Sequence, residues 1–274
     1  MTRKRITQIF PWLLPIRKRQ QLLFFYTRMD LDNNCYAANK LDTGLPHQLF
    51  ETSCPLYNRE TGFNMVYQEN KVFNLKLVTA TLDNLVIRPK ETFSFWKLAH
   101  HADRFTPYKE GLVVVNGKLT TTPGGGMCQM SNLLFWVFLH TPLTILERHG
   151  HGVKDFPEPP SDAPLGVDAT VLEGWLDLKV RNDTASTFQI SISFDGERIT
   201  GCIYTDTDNG LSYKIVNGEV MYYRKDKTVF EEVDVIQQVI KNDSGKCISS
   251  KPLYRNHCEI GYQLPAGTPI VEKG

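Results

Sequence analysis

The sequence predicts an α+β fold, with helices mainly in the first half and an antiparallel sheet with hairpins in the second half. Apolar residues recur at helical spacing within residues 66–100, and a second apolar run follows Cys128. From residue 169 onward, short β-prone runs alternate with Asp-Gly and Asn-Gly pairs. The chain has 274 residues, of which 41% are hydrophobic, so it can bury a full core.

The first segment, residues 1–65, is predicted to be a basic arm followed by a helical lead-in. Residues 1–29 hold no acid, whereas the rest of the chain carries 24 bases and 30 acids. The bases of the arm are Arg3, Lys4, Arg5, Arg17, Lys18, Arg19 and Arg28. A basic segment on an acidic body indicates an anionic partner, and we expect peripheral contact with the inner membrane leaflet. The alternative is a solvated basic helix with intramolecular ion pairs.

No segment predicts export from the cytoplasm. Pro11 and Pro15 interrupt the apolar residues 9–16, and residues 22–26 are too few for a signal peptide. No apolar run approaches the ~20 residues that span a bilayer. We therefore expect a cytoplasmic protein, either free or peripheral to the inner face of the membrane. The bases accompany no groove-reading motif, so we expect no nucleic-acid partner.

The cysteines are expected to be reduced thiols. They form no CxxC pair, and the six are Cys35, Cys54, Cys128, Cys202, Cys247 and Cys258. Cys247, His257 and Cys258 match no zinc spacing, so neither a metal nor a cofactor is expected.

A core domain is predicted over residues 66–185. Its first element is a helix with apolar residues at Val72, Leu75, Leu77, Val78 and Leu82. An extended segment at 85–87, a short strand or strand–turn at 91–95 and a hairpin at 111–121 should follow. The hairpin is predicted because Asn116-Gly117 accepts positive φ at both turn positions.

The remaining residues, 186–274, are predicted to form a β-rich region packed on this core. Strands are expected at 169–171 and 176–180, before that region begins. One hairpin should turn at Asp195-Gly196 and another, over 211–223, at Asn217-Gly218.

The most informative segment holds Gly124, Gly125 and Gly126, followed by Met127 and Cys128 at the start of an apolar helix. Unpaired N–H groups and the dipole at a helix start lower a thiol pKa toward the reactive thiolate. Glycines allow close approach of a substrate backbone and let N–H groups converge on an oxyanion. This glycine run is hard to explain by packing alone.

Two later segments complete a candidate nucleophilic site. His149 and His151 follow the cysteine, and Asp168 follows a proline-rich loop at 156–160. Cys128 would be the nucleophile, His151 the general base with His149 as its substitute, and Asp168 the residue that orients the base. N–H groups near Gly126 and Gln129 would bind the oxyanion. Arg148 would bind a substrate carboxylate.

Each residue also has an ordinary structural interpretation. The cysteine can be a small apolar residue, the glycines a tight turn or an anion-binding nest, and Asp168 a turn cap. The two histidines can be surface residues of a strand. Because all these features occur together, a functional site is supported about as well as the ordinary structural interpretations.

The sequence resembles the VanW-like family across residues 66–185. The matching stretches are residues 91–95, 116–119, 124–129 with Ser131, 147–151, 166–171 and 177–182. The chain departs from most relatives at residues 130–133, where they carry a Ser-Ser-Thr-like run, and at Gly152, where they often carry serine.

The resemblance implies an accessory role in glycopeptide (vancomycin) resistance without specifying a reaction. We expect a cysteine-dependent acyl-transfer or hydrolytic enzyme that acts on a cell-wall precursor peptide or ester, such as a muropeptide. The alternative is a binding module that holds an anionic precursor at the glycine-rich helix start. A third possibility is a scaffold for other enzymes of the resistance cluster.

Overall fold

The computed structural model describes residues 10–59, 62–115, 118–155, 157 and 161–273. Within them the prediction of an α+β fold is confirmed, and every described helix ends before residue 140. Three predicted features lie wholly or largely outside the described residues. They are the bases Arg3, Lys4 and Arg5, the Asn116-Gly117 turn and the proline-rich loop at 156–160.

The secondary structure begins with a 3₁₀ turn at Pro11–Leu13. The described helices are α1 (Leu14–Leu31), α2 (Val66–Leu82), α3 (Phe95–Ala99) and α4 (Met127–Leu139). The earlier strands are β1 (Cys35–Tyr36), β2 (His47–Pro55), β3 (Val86–Ile87), β4 (Glu91–Ser94), β5 (Glu110–Val115), β6 (Lys118–Pro123), β7 (Thr144–Glu147) and β8 (Val153–Lys154). The later strands are β9 (Lys179–Arg181), β10 (Phe188–Phe194), β11 (Arg198–Thr205), β12 (Leu211–Lys225), β13 (Thr228–Lys241), β14 (Cys247–Ile260) and β15 (Ile270–Glu272).

Over the described part of the chain, these strands form three sheets and a separate β5–β6 hairpin. The sheet orders are β1-β4-β9-β7, β2-β11-β10-β3 and β15-β12-β13-β14-β8. Most pairs are antiparallel, as predicted for the second half, but β1/β4, β12/β15 and β14/β8 are parallel.

The core is built around α4, which is buried because its sequence is apolar on every side. It packs against α2, β2 and β11. Gly201 of β11 allows this contact, because a Cβ there would lie 3.0 Å from Leu133 Cγ. Phe138 packs on Phe93 of β4, with ring centroids 4.9 Å apart. The same apolar cluster extends to Val235 on β13, so the third sheet shares this core.

The predicted helix in residues 66–100 is confirmed as α2, which buries Val72, Leu75, Val78 and Leu82. The strand–turn predicted at 91–95 is β4 followed directly by α3. Ser94 makes this transition because its side chain caps α3, accepting a hydrogen bond from the Lys97 N–H.

The hairpin predicted at Asn217-Gly218 is wrong, because β12 runs through these residues to Lys225. The pairing with β13 shifts register between Asn217 and Val220, which marks a β-bulge. A Cβ on Gly218 would lie 2.7 Å from Ile236 Cδ1, so a larger residue there would have to displace that methyl group. The chain turns only after Lys225, where Asp226 has a φ of 56°.

The strands predicted just before residue 186 are also partly wrong. Residues 169–171 belong to no strand, and of residues 176–180 only the last two lie in β9. The backbone of residue 169 is hydrogen-bonded by side chains of α4 instead of by a neighbouring strand.

Candidate active site

Cys128 is the second residue of α4. The helix is capped by Gly126 in a left-handed conformation with a φ of 102°. Within the described residues, the N–H groups of Met127 and Cys128 donate to no backbone carbonyl. The Cys128 Sγ lies 3.1 Å from the Thr170 hydroxyl and 3.8 Å from the Val171 carbonyl oxygen. The thiol is therefore held where helix N–H groups are free to bind negative charge.

The glycine run before this helix is shaped by close packing. A Cβ on Gly125 would lie 2.4 Å from the Gly111 carbonyl carbon of β5. A Cβ on Gly126 would lie 2.2 Å from Lys71 Cγ. Gly124 has a φ of 78° and lies beside Tyr108. Close packing therefore accounts for glycine at position 125, where the neighbour is backbone, whereas positive φ values favour glycine at positions 124 and 126.

His151 and Asp168 form a tightly joined pair. The imidazole Nδ1 lies 2.8 Å from Asp168 Oδ1, and the His151 backbone N–H donates to Asp168 Oδ2 at 2.6 Å. Nδ1 is therefore taken by the carboxylate, and the other ring nitrogen, Nε2, is left without the carboxylate. The Cys128 thiol is near enough to this ring to raise the pKa of His151. The His151 side chain is 43% exposed, so solvent reaches the site.

The electrostatics of these three groups favour a charged pair. The hydrogen bond to Asp168, followed by the one to Cys128, raises the pKa of His151 to about 10. Burial raises the pKa of the Cys128 thiol, but hydrogen bonds from His151 and Thr170 together outweigh it and lower that pKa overall. Burial also opposes ionisation of Asp168, yet the interaction with His151 holds its pKa below the ordinary value. The arrangement therefore favours a thiolate beside an imidazolium.

The segment that carries Asp168 and Thr170 is fixed by α4 itself. The Ser131 hydroxyl donates to the Ala169 carbonyl at 2.5 Å, and the Asn132 side chain accepts the Ala169 N–H at 2.6 Å. Ser131 and Asn132 lie in the same part of α4 as Cys128, three and four residues further along the helix. Their hydrogen bonds set the position of the acid relative to the nucleophile.

Arg148 supports the same segment from the opposite side. Its Nε donates to the Asp168 carbonyl, and its Nη2 donates to the Gly166 carbonyl at 3.3 Å and to Asn256 Oδ1 at 2.7 Å. The guanidinium also stacks 4.3 Å from the Tyr254 ring centroid. These contacts use the Nε–Nη2 edge that would bind a substrate carboxylate, so the geometry assigns Arg148 a positioning role.

Two other predicted site residues point away from the thiol. His149 lies with its Nε2 3.1 Å from Glu147 Oε1, in a network separate from His151. Gln129 donates to the Pro55 carbonyl at 2.7 Å, and its backbone N–H donates to Gly126 O at 3.0 Å. Of the two histidines, His151 is therefore the one that pairs with Asp168 and whose ring lowers the pKa of Cys128.

Thr170, Ser131, Asn132 and Asn256 were not predicted from the sequence as site residues. Thr170 could have been found from the sequence, because it is two residues after Asp168 and alternate residues of an extended chain share a face. Nothing in the sequence indicated Asn256, because it is separated by 108 residues from Arg148, to which it is hydrogen-bonded.

Among the described residues, no group of three or more His, Cys, Asp or Glu is arranged to hold a metal ion. Cys247 and Cys258 lie near opposite ends of β14. None of the described helices is long and apolar enough to cross a membrane.

The chain is similar to known proteins, and the ranges matched by a family model and by one relative include this candidate site. The family model described as VanW-like protein matches residues 70–204, which include Cys128, His151 and Asp168. The vancomycin B-type resistance protein VanW of Enterococcus faecalis is 56% identical over 272 residues, covering 99% of each chain. The uncharacterized protein YoaR of Bacillus subtilis is 34% identical over 148 residues, covering 54% of this chain and 47% of YoaR.

No solved structure matches this chain. The similarity to the Enterococcus faecalis protein extends from end to end, beyond the range of the family model. The chain therefore belongs to the VanW-like family, which includes a vancomycin B-type resistance protein.

Proposed function

We propose that this protein serves vancomycin resistance as a cysteine-dependent acyl-transfer or hydrolytic enzyme. The single observation that supports the chemistry best is the pairing of His151 with Asp168 through Nδ1, beside a Cys128 thiol whose pKa His151 lowers. A nucleophile, a base and an orienting acid in this order are the parts of a covalent acyl-transfer site.

The first half of the reaction would form a thioester. The Cys128 thiolate adds to the substrate carbonyl carbon, and the free N–H groups of Met127 and Cys128 donate to the resulting oxyanion. His151, which is protonated because its pKa is raised to about 10, then transfers its proton to the departing nitrogen or oxygen. The Thr170 hydroxyl holds the sulfur in place for this attack.

The second half would release the acyl group. His151, now neutral, takes a proton from water while the water oxygen adds to the thioester carbonyl, and Cys128 leaves as thiolate. An amine acceptor in place of water gives transfer. Asp168 keeps the imidazole oriented in both halves through its bond to Nδ1.

The substrate class we propose is a cell-wall precursor peptide or ester, such as a muropeptide. The support is the name of the Enterococcus faecalis relative, a vancomycin B-type resistance protein. Contact with other enzymes of a resistance cluster belongs to the same proposal.

Complementation of a resistant host that lacks its own copy tests this function. We expect Cys128→Ala and His151→Ala to lose resistance, whereas Cys202→Ala, a buried cysteine on β11, retains it. Purified Cys128→Ala should retain its melting temperature within a few degrees, which separates loss of chemistry from loss of fold. Full resistance from a folded Cys128→Ala protein would refute the enzymatic proposal.

A second candidate is an anion-binding module without covalent chemistry, and the free N–H groups at the start of α4 favour it. The two candidates differ in the thiol. An activated nucleophile is alkylated by iodoacetamide at a pH well below the ordinary thiol pKa of about 8.5, whereas a passive thiol titrates near that value.

A further inference from the structure

Helix α1 presents an unusual surface, because most of its large apolar side chains are exposed. Met29 is the one residue of this helix that is buried among those described. We define the α1 face by the exposed residues Trp12, Ile16, Leu23 and Phe24 and by Leu172 and Trp175 of a neighbouring turn. Trp12 is 67% exposed and Trp175 is 60% exposed. Exposed apolar patches of this kind mark interaction sites.

The turn that carries Leu172 and Trp175 is fastened to α1. The Gln21 side chain donates to the Gly174 carbonyl at 3.3 Å, and the Tyr26 hydroxyl donates to Glu173 Oε1 at 2.6 Å. A groove of about 430 Å³ runs between the helix and the turn. It is lined by Leu13, Ile16, Arg17, Gln20, Phe24 and Trp175, among others. Two distant segments therefore form one continuous surface.

The bases of α1 also have no ion-pair partners in the part of the chain that the structure describes. Within the described residues, none of Arg17, Lys18, Arg19 and Arg28 takes part in an ion pair. The first acid of the chain is Asp30, which pairs with Lys97 of α3. A basic helix neutralised within the molecule, the alternative left open by the sequence, therefore lacks support in this part of the chain.

We propose that the α1 face docks on the surface of an anionic phospholipid bilayer. Aromatic and aliphatic side chains interleaved with Lys and Arg suit the headgroup region, where the apolar groups insert and the bases meet phosphate. Tryptophan is favoured there because its ring has an apolar body and a polar N–H. A second copy of this chain fits less well, since two faces of the same positive charge would repel each other.

The position of the turn connects this surface to the candidate active site. Leu172 directly follows Val171, whose carbonyl oxygen lies 3.8 Å from the Cys128 sulfur. Docking through Leu172 and Trp175 therefore places the nucleophile beside the bilayer surface. The docking proposal goes beyond the proposed function and does not depend on any reaction at Cys128.

Vesicle binding by the full chain tests the proposal. Co-sedimentation with phosphatidylglycerol/phosphatidylcholine vesicles should be strong at low salt and weak at high salt, and pure phosphatidylcholine vesicles should bind little. The charge reversal Arg17→Glu/Lys18→Glu/Arg19→Glu should reduce the partition coefficient by more than about 100-fold. Loss of three bases at about 1 kcal/mol each already gives about 100-fold, and the added acids repel the surface further. Lys225→Glu/Lys227→Glu/Lys246→Glu is the matched control, at exposed positions of the third sheet region, and should bind better than the α1 variant.

A second pair of variants tests the apolar part of the face. Leu172→Ala/Trp175→Ala should weaken binding severalfold, whereas the exposed Phe105→Ala should not. Equal binding to neutral vesicles, or equal losses from the control variants, would overturn the proposal. A dimer that is detected by sedimentation and abolished in the α1 variant would also overturn the proposal, because that result would assign the α1 face to a second copy of the chain. Vesicle binding should survive Cys128→Ala. A failure of vesicle binding is therefore distinguishable from a failure of the catalytic proposal.

Discussion

At the scale of single residues, Asp168 sets the charge state of the candidate site. Its carboxylate is the main cause of the raised His151 pKa, and protonated His151 in turn helps to lower the pKa of Cys128. Asp168→Asn keeps the shape but removes the charge. We therefore expect the pH profile of Cys128 alkylation to move to higher pH in this variant.

The matched control for that experiment is Asp183→Asn, which removes an exposed acid paired with Arg181. Its alkylation profile should coincide with that of the unmodified protein. An unchanged profile for Asp168→Asn would show that the thiol is not activated through His151.

The same pair gives stability a characteristic pH dependence. The His151 pKa is raised from an ordinary 6.5 to about 10, so its contribution is full below about pH 6.5 and is lost as pH rises through about 10. The Asp168 pKa is lowered from 3.8, so its contribution is full above about pH 4 and is lost as pH falls.

Urea unfolding of the protein and of His151→Gln measures this dependence. The difference in unfolding free energy between them should be largest between about pH 4 and 6.5 and should shrink toward pH 10. A difference in unfolding free energy that grows from about pH 6.5 to about pH 10 would contradict the assigned upward shift of the His151 pKa.

At the scale of elements, the β5–β6 hairpin and the start of α4 meet at two glycines. Because a Cβ on Gly125 would lie 2.4 Å from the Gly111 backbone, Gly125→Ala must push the hairpin away from α4. We expect a loss of about 1–3 kcal/mol in unfolding free energy, measured by urea titration. Gly44→Ala is the control, because a Cβ there would meet nothing within 4 Å and its backbone needs no positive φ. A loss for Gly125→Ala as small as for Gly44→Ala would mean that the backbone contact is not tight.

Some of the helices and strands were predictable from the sequence alone, and others were not. Helix α4 was predictable because its apolar run is continuous and begins after a glycine turn. The bulge at Asn217 was not, because Asn-Gly is also the strongest hairpin signal. Contacts with a residue distant in sequence decide between a bulge and a hairpin. The Asn217 side chain donates to the Leu165 carbonyl at 2.8 Å and accepts the Leu165 N–H at 3.1 Å.

The candidate site was likewise predictable from the sequence only in part. The order of Cys128, His151 and Asp168 along the chain was sufficient to bring these three residues together as candidates. The sequence could not distinguish His151 from His149, because the choice depends on which ring meets Asp168 and which meets Glu147. Nor could it show that Arg148 is held internally by Asn256 and two backbone carbonyls.

At the scale of the whole molecule, one apolar core joins the helices to all three sheets. Val235 of β13 is fully buried in the same cluster as Leu134 of α4 and Val180 of β9. The third sheet also reaches the candidate site, because Asn256 of β14 holds Arg148 and Asn217 of β12 holds Leu165. The third sheet is thus part of the support of the site, and we expect it to unfold together with the core.

Equilibrium unfolding followed by two probes tests this cooperativity. Fluorescence of Trp136, buried in α4, and far-ultraviolet circular dichroism, which reports the strands, should change together in a single transition. Val235→Ala should lower both midpoints equally and cost about 1–3 kcal/mol, because it opens a cavity in the shared core. Val220→Ala, at a 40% exposed position on β12, should change neither midpoint by much. If Val235→Ala lowered the dichroism midpoint alone, the third sheet would be an independent unit, and its hydrogen bonds to the candidate site would be lost before the core unfolds.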